Sequence, residues 1–213
     1  MMTLPRRACL LLPFLLSLPA LAIPGNPTLP PPAGANVDAI VSTMTTPPAL
    51  DVSMGERHVE LEHTTLADVT HQAGIGTIHH RGDAADSQYW LCYTTTLHGR
   101  PARIWLSSGE LGGEQHTVGS VAASVVDSVA DSDDCPALPS HAGIVRMAGD
   151  ASLGSTSAQL GERLGKPSMT VDDWWIYSYS GTVKPGLERI STLEVRIRGG
   201  VVVALVMSQA TTE

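Results

Sequence analysis

The sequence predicts an α+β fold, a tandem of two small units, each with short helices packed on an antiparallel sheet. Three observations carry this expectation. TLADVTHQAG at Thr65–Gly74 and TSAQLGERLG at Thr156–Gly165 share a threonine start, an alanine, a branched apolar residue and a closing glycine, 91 residues apart. Each is followed by a loop and an aromatic run, Tyr89-Trp90-Leu91-Cys92-Tyr93 in the first case and Trp174-Trp175-Ile176-Tyr177-Ser178-Tyr179 in the second. Further strand-like runs come after each, Ala102–Ser107 in the first, Leu193–Arg198 and Val201–Met207 in the second. A recurrence of this kind reads as an internal repeat, and short helices set against antiparallel strands make the α+β class.

The chain opens with Arg6 and Arg7, an apolar run from Leu10 to Leu18, and Ala20-Leu21-Ala22 as an A-x-A cleavage site. This is the pattern of a secretory signal peptide over residues 1–22, and its apolar run is too short to span a bilayer. The expected product is exported, periplasmic first and secreted second, with no lipid anchor and no stable membrane anchor. Loss of Arg6 and Arg7 takes the formal charge from −8 to −10. An acidic chain is a poor partner for nucleic acid or anionic lipid.

Two cysteines remain after the leader, Cys92 and Cys135. In an exported chain they read as one disulfide. Closing a loop of 43 residues contributes at most about 4 kcal/mol on the chain-entropy model.

Residues 23–56 hold Pro30-Pro31-Pro32 and Pro47-Pro48 with almost no charge and no apolar period. They read as a flexible or polyproline tether. Residues 57–140 form the expected first unit. Val59 and Leu61 alternate with charges as a short strand, and a helix begins at Thr65 and stops at Ala73-Gly74. His98-Gly99-Arg100 separates two strand-like runs. The run from His116 to Val126 is read as a strand because its β-branched residues outweigh the helical spacing of Val118, Val121, Val125 and Val129.

Residues 141–213 form the expected second unit. Thr156 and Gln159 make a T-x-x-Q capping box. Leu160 and Leu164 lie one turn apart on one face, Gly165 supplies the stop, and Pro167 forbids a restart. Gly199-Gly200 suits a two-residue hairpin.

On these residues the chain from Leu153 to Met207 resembles the SmpA/OmlA (BamE-like) family. The matching positions are Gly154, Thr156, Gln159, Leu160, the run Leu164-Gly165-Lys166-Pro167, Trp175-Ile176-Tyr177, Leu193–Ile197 and Gly200–Val203. The tandem arrangement is similar to that of β-lactamase-inhibitor proteins. The resemblance implies a helix-plus-sheet unit and binding to other proteins at the envelope.

Candidate chemistry is sparse. His79 and His80 lie near Asp83 and Asp86, but no H-x-x-x-H or H-E-x-x-H spacing supports a metal, and none is expected. Gly161–Lys166 is one residue short of a phosphate loop and meets Pro167 where Ser or Thr belongs. Gly74-Ile75-Gly76 lacks the third glycine of a dinucleotide fingerprint, and no cofactor is expected. Ser108, Glu110 and His116 supply residue types for a hydrolase, yet the G-x-S-x-G elbow is absent.

The aromatics remain. In Trp174–Tyr179, side chains alternate, so Trp175, Tyr177 and Tyr179 share one face. Leu160, Leu164 and Ala158 offer little cover for three rings of on the order of 150–250 Å² each. The expectation is therefore a non-enzymatic protein-binding module, an inhibitor, immunity or envelope-assembly protein. Its partner would be an unidentified envelope or secreted protein. The expected contacts are Trp175, Tyr177, Tyr179, Tyr89 and Trp90. The alternative is an envelope hydrolase using Ser108, Glu110 and His116.

Overall fold

Alternating large apolar and polar side chains, sustained over strands of up to 12 residues, build the dominant feature of the fold, an antiparallel sheet of eight strands. The computed structural model describes residues 31, 34–35, 39–48, 51–54, 56–83, 86–97, 99–128, 132, 134–138, 145–146 and 152–213. The predicted leader and its cleavage site lie outside these residues, as does much of the proline-rich stretch.

The elements in chain order are β1 (Asp51–Met54), β2 (Arg57–Glu60), α1 (Leu66–Ala73), β3 (His79–Arg81), β4 (Gln88–Leu97), β5 (Arg100–Ser108) and β6 (Ser120–Val125). They continue with β7 (Val145–Arg146), α2 (Ser157–Leu164), β8 (Met169–Val171), β9 (Trp174–Lys184), β10 (Leu187–Arg198) and β11 (Val201–Thr212). The large sheet runs β3-β4-β5-β6-β11-β10-β9-β8, and a small one runs β2-β1-β7.

This architecture corrects the expected tandem of helix-on-sheet units. Among the described residues the fold is mostly β, 52% strand, with one large sheet and two short α-helices. Helix, short strand and three longer strands do follow one another twice. The two runs are not separate units, because β6 pairs with β11 through Val121↔Met207, Ala123↔Leu205 and Ser124↔Ala204. The physical reason is edge satisfaction. Two isolated four-stranded sheets would each leave a long apolar edge unpaired, and pairing those edges removes both.

Both helices are short and depend on tertiary packing rather than propensity. Each begins with a capping box. Thr65 accepts from the Asp68 amide while Asp68 accepts from the Thr65 amide, both at 3.0 Å. Thr156 and Gln159 do the same at 3.2 and 2.9 Å. The β10–β11 hairpin turns at Gly199 and Gly200, with φ of 58° and 76°. Both values lie in the left-handed region that glycine enters without a Cβ penalty.

One face of the large sheet carries the main core. Leu91, Tyr93, Ile104, Leu106, Val121, Leu193, Val195, Leu205 and Met207 meet Leu66 and Val69 of α1, Leu160 of α2, and Val52, Met54, Val59 and Leu61 of the small sheet. The other face carries a smaller cluster of Trp90, Cys92, Trp105, Ala122 and Cys135. The Cys92–Cys135 disulfide is present, with a Cα–Cα distance of 4.7 Å. It holds residues 134–138 against β4, where Thr94 donates to Pro136 O at 2.9 Å and accepts from the Leu138 amide at 2.8 Å. No helix among the described residues is long and apolar enough to cross a membrane.

Candidate functional site

The five aromatic residues expected at a binding face fall at the two ends of the large sheet. Trp175, Tyr177 and Tyr179 do share one face of β9, opposite Val195, Leu193 and Ser191 of β10. That face is the helix side, so cover comes from more than α2. Tyr177 is fully buried, and its hydroxyl donates to Gly165 O at 3.4 Å. Burial raises its pKa to about 12. Trp175 is half-buried and packs against the main core. Tyr179 is half-buried, with its hydroxyl over Gly181, where a Cβ would collide with it. Tyr177 is thus a core residue rather than a contact residue. Leu160, Leu164 and Ala158 are not the only cover, because β10 and the main core enclose the ring as well.

On the opposite face of β9, Trp174 lies beneath Arg196, whose guanidinium carbon is 5.7 Å from the ring centroid. Arg196 and Arg198 both bond Asp173, at 2.8 and 3.1 Å. The Arg196 hydrogen bond, followed by that from Arg198, holds the Asp173 carboxyl below its usual range.

At the far end, β3 pairs with β4 through His79↔Trp90 and His80↔Tyr89. Successive strand residues point to opposite faces. His79 therefore meets Trp90 at 5.6 Å, and His80 meets Tyr89 at 4.2 Å. The structure places the pair in a strand whose alternation sends the two rings apart. Among the described residues no group of three His, Cys, Asp or Glu is arranged to hold a metal.

Trp90 is buried in the smaller cluster, its Nε1 without a hydrogen-bond partner. This corrects its expected exposure, since Cys135 and its neighbours cover that face. Tyr89 is half-buried and stacks on both sides, on His80 and, at 3.8 Å, on His116. The ring is thereby held between two imidazoles. Ile78, 39% exposed, precedes β3, and Leu111, 67% exposed, lies in the loop that carries His116. No local pattern marks this column, because His116 sits 27 residues from Tyr89 and reaches it from a loop with φ of 52°.

Ser108, Glu110 and His116 do not come together as nucleophile, acid and base. Ser108 is fully buried beneath Gly112, and its Oγ has no hydrogen-bond partner. Glu110 is exposed on a single turn of 3-10 helix, and the His116 ring is committed to Tyr89. Nearby, Glu62, Gln88, Ser107, Glu110, Ser120 and Gln209 are among the residues lining a cavity of about 330 Å³. Glu62 is already engaged by Gln209 Nε2 and the Thr211 amide, both at 2.6 Å.

Comparison with protein-family models, with curated proteins and with solved structures finds no match in any of the three.

Proposed function

We propose that the protein is an exported, non-enzymatic protein-binding module of the inhibitor, immunity or envelope-assembly kind, with Tyr89 at the centre of its contact surface. The observation that carries this reading is the His80–Tyr89–His116 column. Tyr89 is partly buried against the main core, and a ring fixed on both sides loses little freedom when a partner covers the part that remains exposed; preorganised aromatic rings make the strongest contacts at interfaces. Exposed Ile78 and Leu111 supply apolar surface on the segments that carry the two histidines. The resemblance of Leu153–Met207 to the SmpA/OmlA family supports the same class of function. The partner is an envelope or secreted protein, and the leader pattern supports export to the periplasm. The hydrolase alternative gains nothing from a buried, unpartnered Ser108.

The test is paired capture from an envelope extract, using wild type and Tyr89→Ala. A protein recovered by wild type should bind the variant at least about thirtyfold more weakly, the expectation for a hot spot. The melting temperatures should stay within a few degrees. Equal recovery by the two, with the variant folded, would remove Tyr89 from the interface. N-terminal sequencing of the exported protein should begin at Ile23.

A further inference from the structure

Glu194 stands out because a charged residue belongs at the surface, yet it is only 9% exposed in the middle of β10. Its cross-strand neighbours are Ile176 on β9 and Val206 on β11, neither of which can donate a hydrogen bond. The next polar residues along the same face are engaged elsewhere. Thr192 bonds Ser208 at 2.6 Å, and Arg196 bonds Asp173 at 2.8 Å. A buried carboxylate without partners is costly. Its donor is a backbone group from far away in the chain, the Ala35 amide, 2.5 Å from Oε2. Gly34 lies against the same carboxylate, and a Cβ there would collide with it.

The same segment is tied down again a few residues later. Ser42 Oγ meets Ser178 Oγ at 2.9 Å, and Ser178 shares the outer face with Glu194. The amides of Thr43 and Met44 both donate to Ser178 O, at 3.1 and 3.0 Å. Thr43 Oγ1 donates to Ser168 at 2.7 Å, and Met44 packs against the main core. The described residues of 34–44 form neither helix nor strand. Val41 within them remains 57% exposed.

We propose that the described residues of 34–44 are a displaceable strap, an intramolecular ligand that crosses the β9 edge at Ser178 onto the outer face of β9 and β10, with Glu194 as its latch. The contacts suit a strap rather than a structural strand. A few hydrogen bonds and the partly buried Met44 hold it, so it opens at lower cost than the sheet beneath it. The site accepts what the strap offers: an extended peptide with glycine over the carboxylate and a free amide just after it. This surface lies on a different element and face from Tyr89, so the inference stands apart from the proposed contact column.

Hydrogen exchange read by mass spectrometry on the full exported chain tests the latch. Ala35→Pro deletes the donor without touching the sheet, and Glu194→Leu deletes the acceptor while filling its place between Ile176 and Val206. Each should speed exchange in residues 34–44 by about tenfold or more, leaving β9, β10 and β11 as protected as in wild type. Glu194→Gln keeps a carbonyl acceptor and should retain the protection. Unchanged exchange in both Ala35→Pro and Glu194→Leu would overturn the latch. A fluorescent peptide of residues 31–48 tests the site itself. It should bind Ala35→Pro and be excluded from wild type, whose own strap competes. Failure to bind the variant would overturn the peptide site.

Discussion

Tyr177 and Tyr179 stand two residues apart on one strand and one face, and they meet opposite surroundings. Tyr177 lies where β10 and the core close over it, its hydroxyl on the last turn of α2. Tyr179 lies beyond that cover. Replacing Tyr177 by Ala should cost about 3–5 kcal/mol, whereas Tyr179→Ala should leave the melting temperature nearly unchanged. Thermal denaturation of the two variants side by side checks this, and equal losses would contradict it. Ionisation gives a second reading. Tyr93 and Tyr177 are both raised to about 12, in each case chiefly by burial. A raised folded pKa means that stability is whole below the ordinary value of about 10 and is lost as pH climbs towards 12. Ultraviolet titration should therefore show two tyrosines ionising late, together with alkaline unfolding. Glu194 follows the same sign at acid pH, because burial raises its carboxyl and the Ala35 amide only partly offsets that. Its neighbour Arg196 is committed to Asp173, so no cation reverses the shift. The stabilising effect of Glu194→Gln should be larger at pH 7 than at pH 4.

At the scale of elements, the disulfide and the strand edges decide what is held. Cys92–Cys135 fixes residues 134–138 along β4, where they pair with Thr94 and cover Trp90 and Trp105. Removing a native disulfide from a small domain costs roughly 2–5 kcal/mol. Reduction should lower the melting temperature and speed hydrogen exchange at Thr94 and Leu138. A thiol assay on unfolded, unreduced protein should find no free thiol; two per chain would contradict the bond. The capping box of α2 was legible at this scale because it is local. Thr156 and Gln159 sit three residues apart, and nothing beyond a helix start is needed to bring them together.

For the whole molecule, the β6–β11 pairing settles how many cooperative units there are. One core cluster runs from Leu91 and Ile104 through Val121 to Leu205, Leu193 and Tyr177, with no break between the two runs of strands. Calorimetry should record a single transition whose van't Hoff and calorimetric enthalpies agree. Two resolved transitions would show two independently folding halves. The short outer strands β3 and β8 leave most of β4 and β9 to be covered by loops. The chain does this with Pro136–Leu138 on one side and Thr43–Met44 on the other.

The sequence by itself determined what depends on neighbours a few residues away. Period-two alternation placed Trp175, Tyr177 and Tyr179 on one face, glycine pairs marked the turns, and Thr156 with Gln159 three residues on marked the start of the second helix. A count of two cysteines also sufficed to name Cys92 and Cys135 as a pair. Only tertiary structure decided which edges meet, because a backbone edge carries the same donors and acceptors whatever its sequence, and β6 has no local mark of pairing with β11. It likewise decided exposure. Whether Tyr177 or Tyr89 faces solvent depends on β10, His80 and His116. The burial of Glu194 depends on an amide 159 residues away, a distance at which no local rule connects a carboxylate to its donor.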